Sequence, residues 1–268
     1  MLAKRRPSVR EREPFEEVRV GALLSLKGVG KSYWRGDTEV GVLRDVTLEL
    51  QAGQLAAVWG TRGSGKSTLL KLAARLETPD SGSVSFNGVD LAGLSERQHA
   101  RLMLEWIGWV RRTGPKSDLR MLDYVALPLL AEHGRRDAYA RAEEAVERVG
   151  LSAQARQRWG SLCDGERTLI GIAHAIARAP RLLLVDDPTA NLDVRERERV
   201  TALLHSLVDE EAIAVLMAVP DMPAAMRADQ IFSLGGGRLA SAPSPPAPPP
   251  AELQRGKVVH LRGRQQLV

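Results

Sequence analysis

The sequence predicts an α/β fold, with a mostly parallel sheet flanked by helices and an antiparallel β edge, and three observations point to it. Strand-like apolar runs alternate with helical patterns through the second half of the chain. The earlier runs are joined by short turns such as Asn87-Gly88, which suit antiparallel pairing. A glycine-rich stretch, "GTRGSGKST" (Gly60–Thr68), stands directly between a strand-like run and a helical pattern.

Taken in order, the strand-like runs are "LLSLKGV", "VLRDVTLEL", "QLAAVW", "SVSFNG", "WIGWV", "RLLLVDD", "AIAVLMAV" and "QIFSLGGGRLA". The pattern "STLLKLAARL" predicts a helix straight after the third, and further helical patterns cover 137–149, 165–179 and 194–208. A strand that returns through a helix lies parallel to its predecessor, so the later runs build the parallel core. Residues 241–250, "SAPSPPAPPP", can neither form a helix nor pair inside a sheet and read as an extended linker. The folded body is therefore expected over 21–240, between a charged extension at 1–20 and a basic tail at 251–268.

With 268 residues and 44% apolar content, the chain can bury a substantial core. Its net charge is +5, and this excess resides in the two ends, +2 in residues 1–20 and +3 in residues 251–268. A balanced body argues against nucleic acid as a partner, and the basic ends read as solvated tails, with contact to an anionic membrane surface or another acidic partner as the alternative. The extension at 1–20 is charged throughout and lacks the apolar core of a secretory signal. No segment is long and apolar enough for a membrane span, so the chain is expected to be soluble by itself. Cys163 is the single cysteine, which excludes an internal disulfide and fits the cytosol.

Gly60, Gly63, Ser64, Gly65, Lys66, Ser67 and Thr68 carry the strongest chemical signal. Glycines at this spacing let backbone N–H groups turn inward around a phosphate, and the following helix adds its positive end. Lys66 is placed to contact the terminal phosphates, and the Ser67 hydroxyl to ligate Mg²⁺. The apolar run "LLLVDD" delivers Asp186 at a strand end, where a carboxylate holds Mg²⁺ through water. ATP and Mg²⁺ are the expected cofactors.

Around these residues lie "KSY", "PDSGSVSFNGVDL", "IGWV", "LCDGE", "RAPRLLLVDDPTANLD" and "ADQIFSLGGGRL". From about 22 to 240 the chain resembles the ATP-binding subunits of ABC transporters, and "DLAGLSERQHARL" and "DYVALPLL" look most like the lipoprotein-release and macrolide-export branch. The resemblance implies a P-loop NTPase core with an antiparallel β subdomain and a helical subdomain, here about 110–178. It implies that two such domains sandwich ATP, each phosphate loop facing the other domain's signature. It also implies a transmembrane permease as partner and a place on the cytoplasmic face of the plasma membrane. Tyr33 falls where the family stacks an aromatic ring on adenine, and Asn191, Leu192 and Asp193 fall in the D-loop.

Four positions depart from the family's pattern. Arg112 stands where a glutamine normally approaches Mg²⁺, and a guanidinium has no acceptor atom. Asp187 stands for the general-base glutamate, so its carboxylate is withdrawn by about 1 Å, a displacement that can cost on the order of 100-fold in rate. Pro220 replaces the switch histidine and offers neither a side-chain donor nor an N–H. The signature reads Leu162, Cys163, Asp164, Gly165, Glu166, where the family has "LSGGE". Here a weakly donating thiol replaces a hydroxyl, and Asp164 is expected to cap the helix at 165–179.

These departures predict a subunit that binds MgATP but hydrolyses it slowly or not at all in its own site, paired with a second, competent ATP-binding subunit. A heterodimer is favoured over a homodimer, in which Asp164 of one copy would pair with Arg62 or Arg112 of the other. An ATPase rescued by other residues and a nucleotide-independent scaffold for a permease remain open. A small-molecule kinase would use the same loop but leaves "TANLD" unexplained.

Overall fold

The computed structural model describes residues 15, 21–110, 114–115 and 118–242. Two sheets organise them. The first is antiparallel, in the order β2-β1-β4-β5, from β1 (Leu24–Arg35), β2 (Thr38–Leu50), β4 (Ser81–Phe86) and β5 (Val89–Asp90). Asn87 and Gly88 link β4 to β5 with φ of 49° and 74°, the pair of positive angles that a tight hairpin turn requires.

The second sheet runs β10-β9-β3-β8-β7-β6. Its members are β3 (Leu55–Trp59), β6 (Ile107–Val110), β7 (Leu182–Asp186), β8 (Ala214–Val219), β9 (Gln230–Gly235) and β10 (Arg238–Ala242). All neighbours are parallel except β10, which folds back on β9 through Gly236 and Gly237. The run "QIFSLGGGRLA" is therefore a hairpin, and the described body extends to Ala242, two residues beyond the sequence estimate.

The central strands are apolar along their length, save for Asp186 at the end of β7, because both faces of the sheet are covered. Alternate residues enter separate cores: Leu183, Val185, Val215 and Met217 face one, and Leu182, Leu184, Ala214 and Leu216 face the other. The first core is shared with α4 (Arg135–Arg148), α5 (Asp164–Ile176) and α6 (Val194–Glu211); the second with α1 (Lys66–Ala73) and the antiparallel sheet. Among the described residues there are three further short α-helices: α2 (Glu96–Glu105), α3 (Met121–Ala126) and α7 (Met222–Ala225). A reciprocal Ser95–Gln98 capping box starts α2.

Phe15 adds an unforeseen feature. Its ring is buried, meets Phe86 edge-on at a centroid distance of 5.8 Å, and its carbonyl accepts a 3.2 Å bond from Asn87 Nδ2. The remainder of the 1–20 extension, the Pro-rich linker from 243 onward and the basic tail lie outside the described residues.

Candidate functional site

The phosphate loop leaves β3 at its C-terminal end and enters α1 at Lys66. Gly65 has φ of 107°, and a Cβ there would press within 3.0 Å of Leu43 and 3.1 Å of the Val42 carbonyl, so glycine is required on both counts. Lys66 Nζ donates to the carbonyls of Gly60 at 2.5 Å and Thr61 at 3.0 Å, which holds the ammonium within the loop. Burial pushes the Lys66 ammonium down from its ordinary pKa, and the carboxylates of Asp187 and Asp186 oppose that fall.

β7 runs beside β8 in the middle of the sheet and ends at Asp186. Asp186 Oδ1 accepts a 3.2 Å bond from Ser67 Oγ. A hydroxyl and a carboxylate 119 residues apart in sequence thus meet at the mouth of the loop, as two oxygen donors fit to hold a hard divalent cation. The next residue, Asp187, adopts φ of 55° and donates its N–H to the Ala218 carbonyl at 2.8 Å. Pro220 is exposed just past β8, and Asp221 caps α7 by accepting from Ala224 N at 3.0 Å. Arg112 lies outside the described residues.

The signature corrects one expectation. The cap of α5 is Cys163, not Asp164: Cys163 Sγ accepts from Glu166 N at 3.4 Å, and Cys163 N donates to Glu166 Oε2 at 3.0 Å. Asp164 is the first helical residue, one position too late to cap, and its carboxylate pairs with Arg167 at 3.3 Å. Burial raises the Cys163 thiol pKa, and the Glu166 and Glu196 carboxylates add to this. The thiol stays protonated and donates to Glu196 Oε1 at 3.5 Å. Leu162 is buried beneath this turn.

Glu196 is a residue that the sequence reading missed. Its other carboxylate oxygen accepts from Asp193 N at 3.0 Å, and its own N–H donates to Asp193 Oδ1 at 2.8 Å, forming the capping box of α6. A Cβ on Gly165 would lie 2.5 Å from Glu196 Oε1, so glycine there makes room for the carboxylate. One side chain thereby joins the signature turn to the segment Asn191, Leu192 and Asp193, in which Asn191 takes φ of 60° and Leu192 is buried. The D-x-x-E spacing at 193–196 is the signal that finds the capping half of this arrangement.

Tyr33 sits near the end of β1, and its hydroxyl donates to Glu77 and lies 3.5 Å from Thr68 Oγ1. Glu77 also accepts from Lys71 at 2.8 Å, and Lys31 Nζ lies 5.6 Å over the Tyr33 ring. Burial and the bond to Glu77 raise the Tyr33 pKa.

A glycine-rich loop at a strand–helix junction, with a helical serine bonded to a strand-end aspartate, defines a P-loop nucleotide-binding domain. The family model described as "ABC transporter" matches residues 43–190. The lipoprotein-releasing system ATP-binding protein LolD of Bordetella pertussis is 37% identical over 221 residues, covering 82% of this chain and 96% of the relative. LolD of Pseudomonas syringae pv. tomato is 38% identical over 225 residues, covering 82% and 98%. Among solved structures, the dimeric MJ0796 bacterial ABC transporter cassette superposes with a TM-score of 0.75 at 27% identity, covering 81% of this chain and 96% of that one. The same cassette in a post-hydrolysis dimer bound to ADP and Pi gives 0.74. The chain belongs to the ABC transporter family and is an ATP-binding domain of it. Among the described residues, no helix is long and apolar enough to cross a membrane.

Proposed function

We propose that this chain is the ATP-binding subunit of a membrane complex for transport or for lipid or lipoprotein extraction, and that it binds MgATP while hydrolysing it slowly or not at all in its own site. The observation that carries nucleotide binding is the convergence of Lys66, Ser67 and Asp186 at one loop mouth. Mg²⁺, held there by Ser67 and Asp186, would neutralise charge shared between the β- and γ-phosphates. Lys66 would add its charge to the terminal phosphates, Gly60, Gly63, Ser64, Gly65 and Thr68 would line the backbone cradle, and Tyr33 would face adenine. Weak turnover follows from Asp187, which is one methylene short of the usual base, and from Pro220, which offers no donor. The signature adds to both: Cys163 is committed to Glu166 and Glu196, and Asp164 carries a negative charge at the start of α5.

The partners on this reading are a transmembrane permease and a second, competent ATP-binding subunit, at the cytoplasmic face of the membrane. The similarity to LolD, the ATP-binding protein of a lipoprotein-releasing system, supports the extraction branch. Purification of the intact complex with subunit and nucleotide identification tests this: two different ATP-binding subunits and ATP bound to this chain are expected. Loss of that ATP on Lys66→Ala supports nucleotide binding, whereas a wild-type chain that binds no ATP at millimolar concentration points to a scaffold.

The dimeric state of the similar MJ0796 cassette favours, as a second reading, a homodimer. Asp164 and Arg62 are both exposed, and in such a dimer they would pair across the interface. A nucleotide-bound dimer with these groups well beyond salt-bridge reach would exclude that pair.

A further inference from the structure

The antiparallel sheet and the phosphate helix meet through one carboxylate. Glu77 lies just beyond α1, its N–H donating to the Lys71 carbonyl at 3.4 Å, and its side chain takes two bonds at once. Lys71, in the last turn of α1, donates to Oε1 at 2.8 Å, and the Tyr33 hydroxyl donates to Oε2. Burial by itself would raise the Glu77 pKa, but the bonds from Lys71 and Tyr33 outweigh it and hold the carboxyl low. Glu77 therefore remains an acceptor for both donors. Thr68 Oγ1, two residues past Lys66, is also within reach of the Tyr33 hydroxyl, at 3.5 Å.

Resting on the reading of this site as an ATP site, we propose that Glu77 is a positioning residue that fixes the Tyr33 ring at a set distance from the phosphate loop, and so couples recognition of the base to recognition of the phosphates. The physical basis is that Tyr33 stands on a strand of one sheet while Lys66 begins a helix of the other layer, so the span between base and phosphate contacts depends on how the two layers are joined. A bond from the tip of the ring to Glu77, which Lys71 ties to the helix that carries Lys66, sets that span before any ligand arrives, which lowers the ordering cost of binding. On the strand side the base of the arrangement is also fixed: Lys31 pairs with Asp80 at 2.8 Å, and Ser32 N donates to the same carboxylate at 2.6 Å. Glu77 is the matching anchor on the helix side.

The test compares MgATP with magnesium tripolyphosphate, a probe that carries the phosphates but no base, by calorimetric titration of the full chain. Glu77→Ala and Tyr33→Phe are each expected to weaken MgATP binding about fivefold to tenfold and to leave tripolyphosphate binding within twofold. Glu77→Gln keeps an acceptor for the hydroxyl and is expected to restore MgATP affinity to within threefold of wild type. Combining Glu77→Ala with Tyr33→Phe adds no further loss, because both remove the same bond. Unchanged MgATP affinity in the single variants, or equal loss for both ligands, would overturn the proposal while leaving the ATP site in place. A wild-type chain that binds neither ligand would overturn the nucleotide reading itself, and this inference with it.

Discussion

Cys163 caps α5 through a sulfur contact of 3.4 Å to Glu166 N, longer than the bond a hydroxyl oxygen makes at the same position. Serine is among the favoured caps, so Cys163→Ser is expected to stabilise the fold by about 0.5–1 kcal/mol, read as a higher denaturation midpoint. On the proposed reading, Asp187 and Pro220 bear on rate instead. Replacing both, as Asp187→Glu with Pro220→His, is expected to raise ATP turnover of the complex at least tenfold, with either change alone giving less, as measured by phosphate release. How much of this was legible in the sequence differs residue by residue. The meeting of Lys66, Ser67 and Asp186 at one loop mouth was readable because a fixed spacing or a strand end determines where each stands. Asp164 was misassigned as the cap because aspartate outranks cysteine in capping preference, whereas the register of α5 places Cys163 at the junction. Glu77 left no motif, since the role proposed for it depends on a contact with Tyr33, 44 residues away.

At the scale of elements, α5 carries a built-in response to acid. His174 lies against Tyr124 of α3, the rings nearly parallel at 15° with centroids 4.4 Å apart. Burial, with the nearby Arg178 charge added, pushes its pKa down from 6.5 to about 4. The folded chain thus keeps a neutral imidazole in a range where the unfolded chain takes up a proton. Its contribution is present in full above the unfolded pKa of 6.5 and is lost as the pH falls toward about 4. An upper limit of about 3–4 kcal/mol follows from the size of the shift. His174→Phe keeps the ring stack and removes the titration, so its stability is expected to fall less than that of wild type between these pH values, in paired urea titrations. Of the helices, α4, α5 and α6 were legible because each repeats its apolar positions over three turns or more. The short α3 and α7, with six and four residues, were not, since their formation rests on packing.

For the whole molecule, two sheets and a helical layer converge on the phosphate loop, and β3 serves both cores through its alternating residues. The parallel sheet was readable from the order of strands and helices, and the antiparallel sheet from its turns. The docking of Phe15 was not, because a lone phenylalanine within a charged segment has no periodicity to mark it. Phe15→Ala is expected to cost about 2–3 kcal/mol of stability, the value of burying one such ring, as seen in equilibrium unfolding of the full chain. The central claim is that this subunit holds ATP without turning it over. Its most direct test is photolabelling of the purified membrane complex with a radiolabelled, photoreactive ATP, followed by identification of the nucleotide attached to each subunit after many turnovers of the competent partner. The account predicts that the label on this chain remains triphosphate. Diphosphate on this chain, formed as fast as on its partner and slowed by Asp187→Asn, would contradict it.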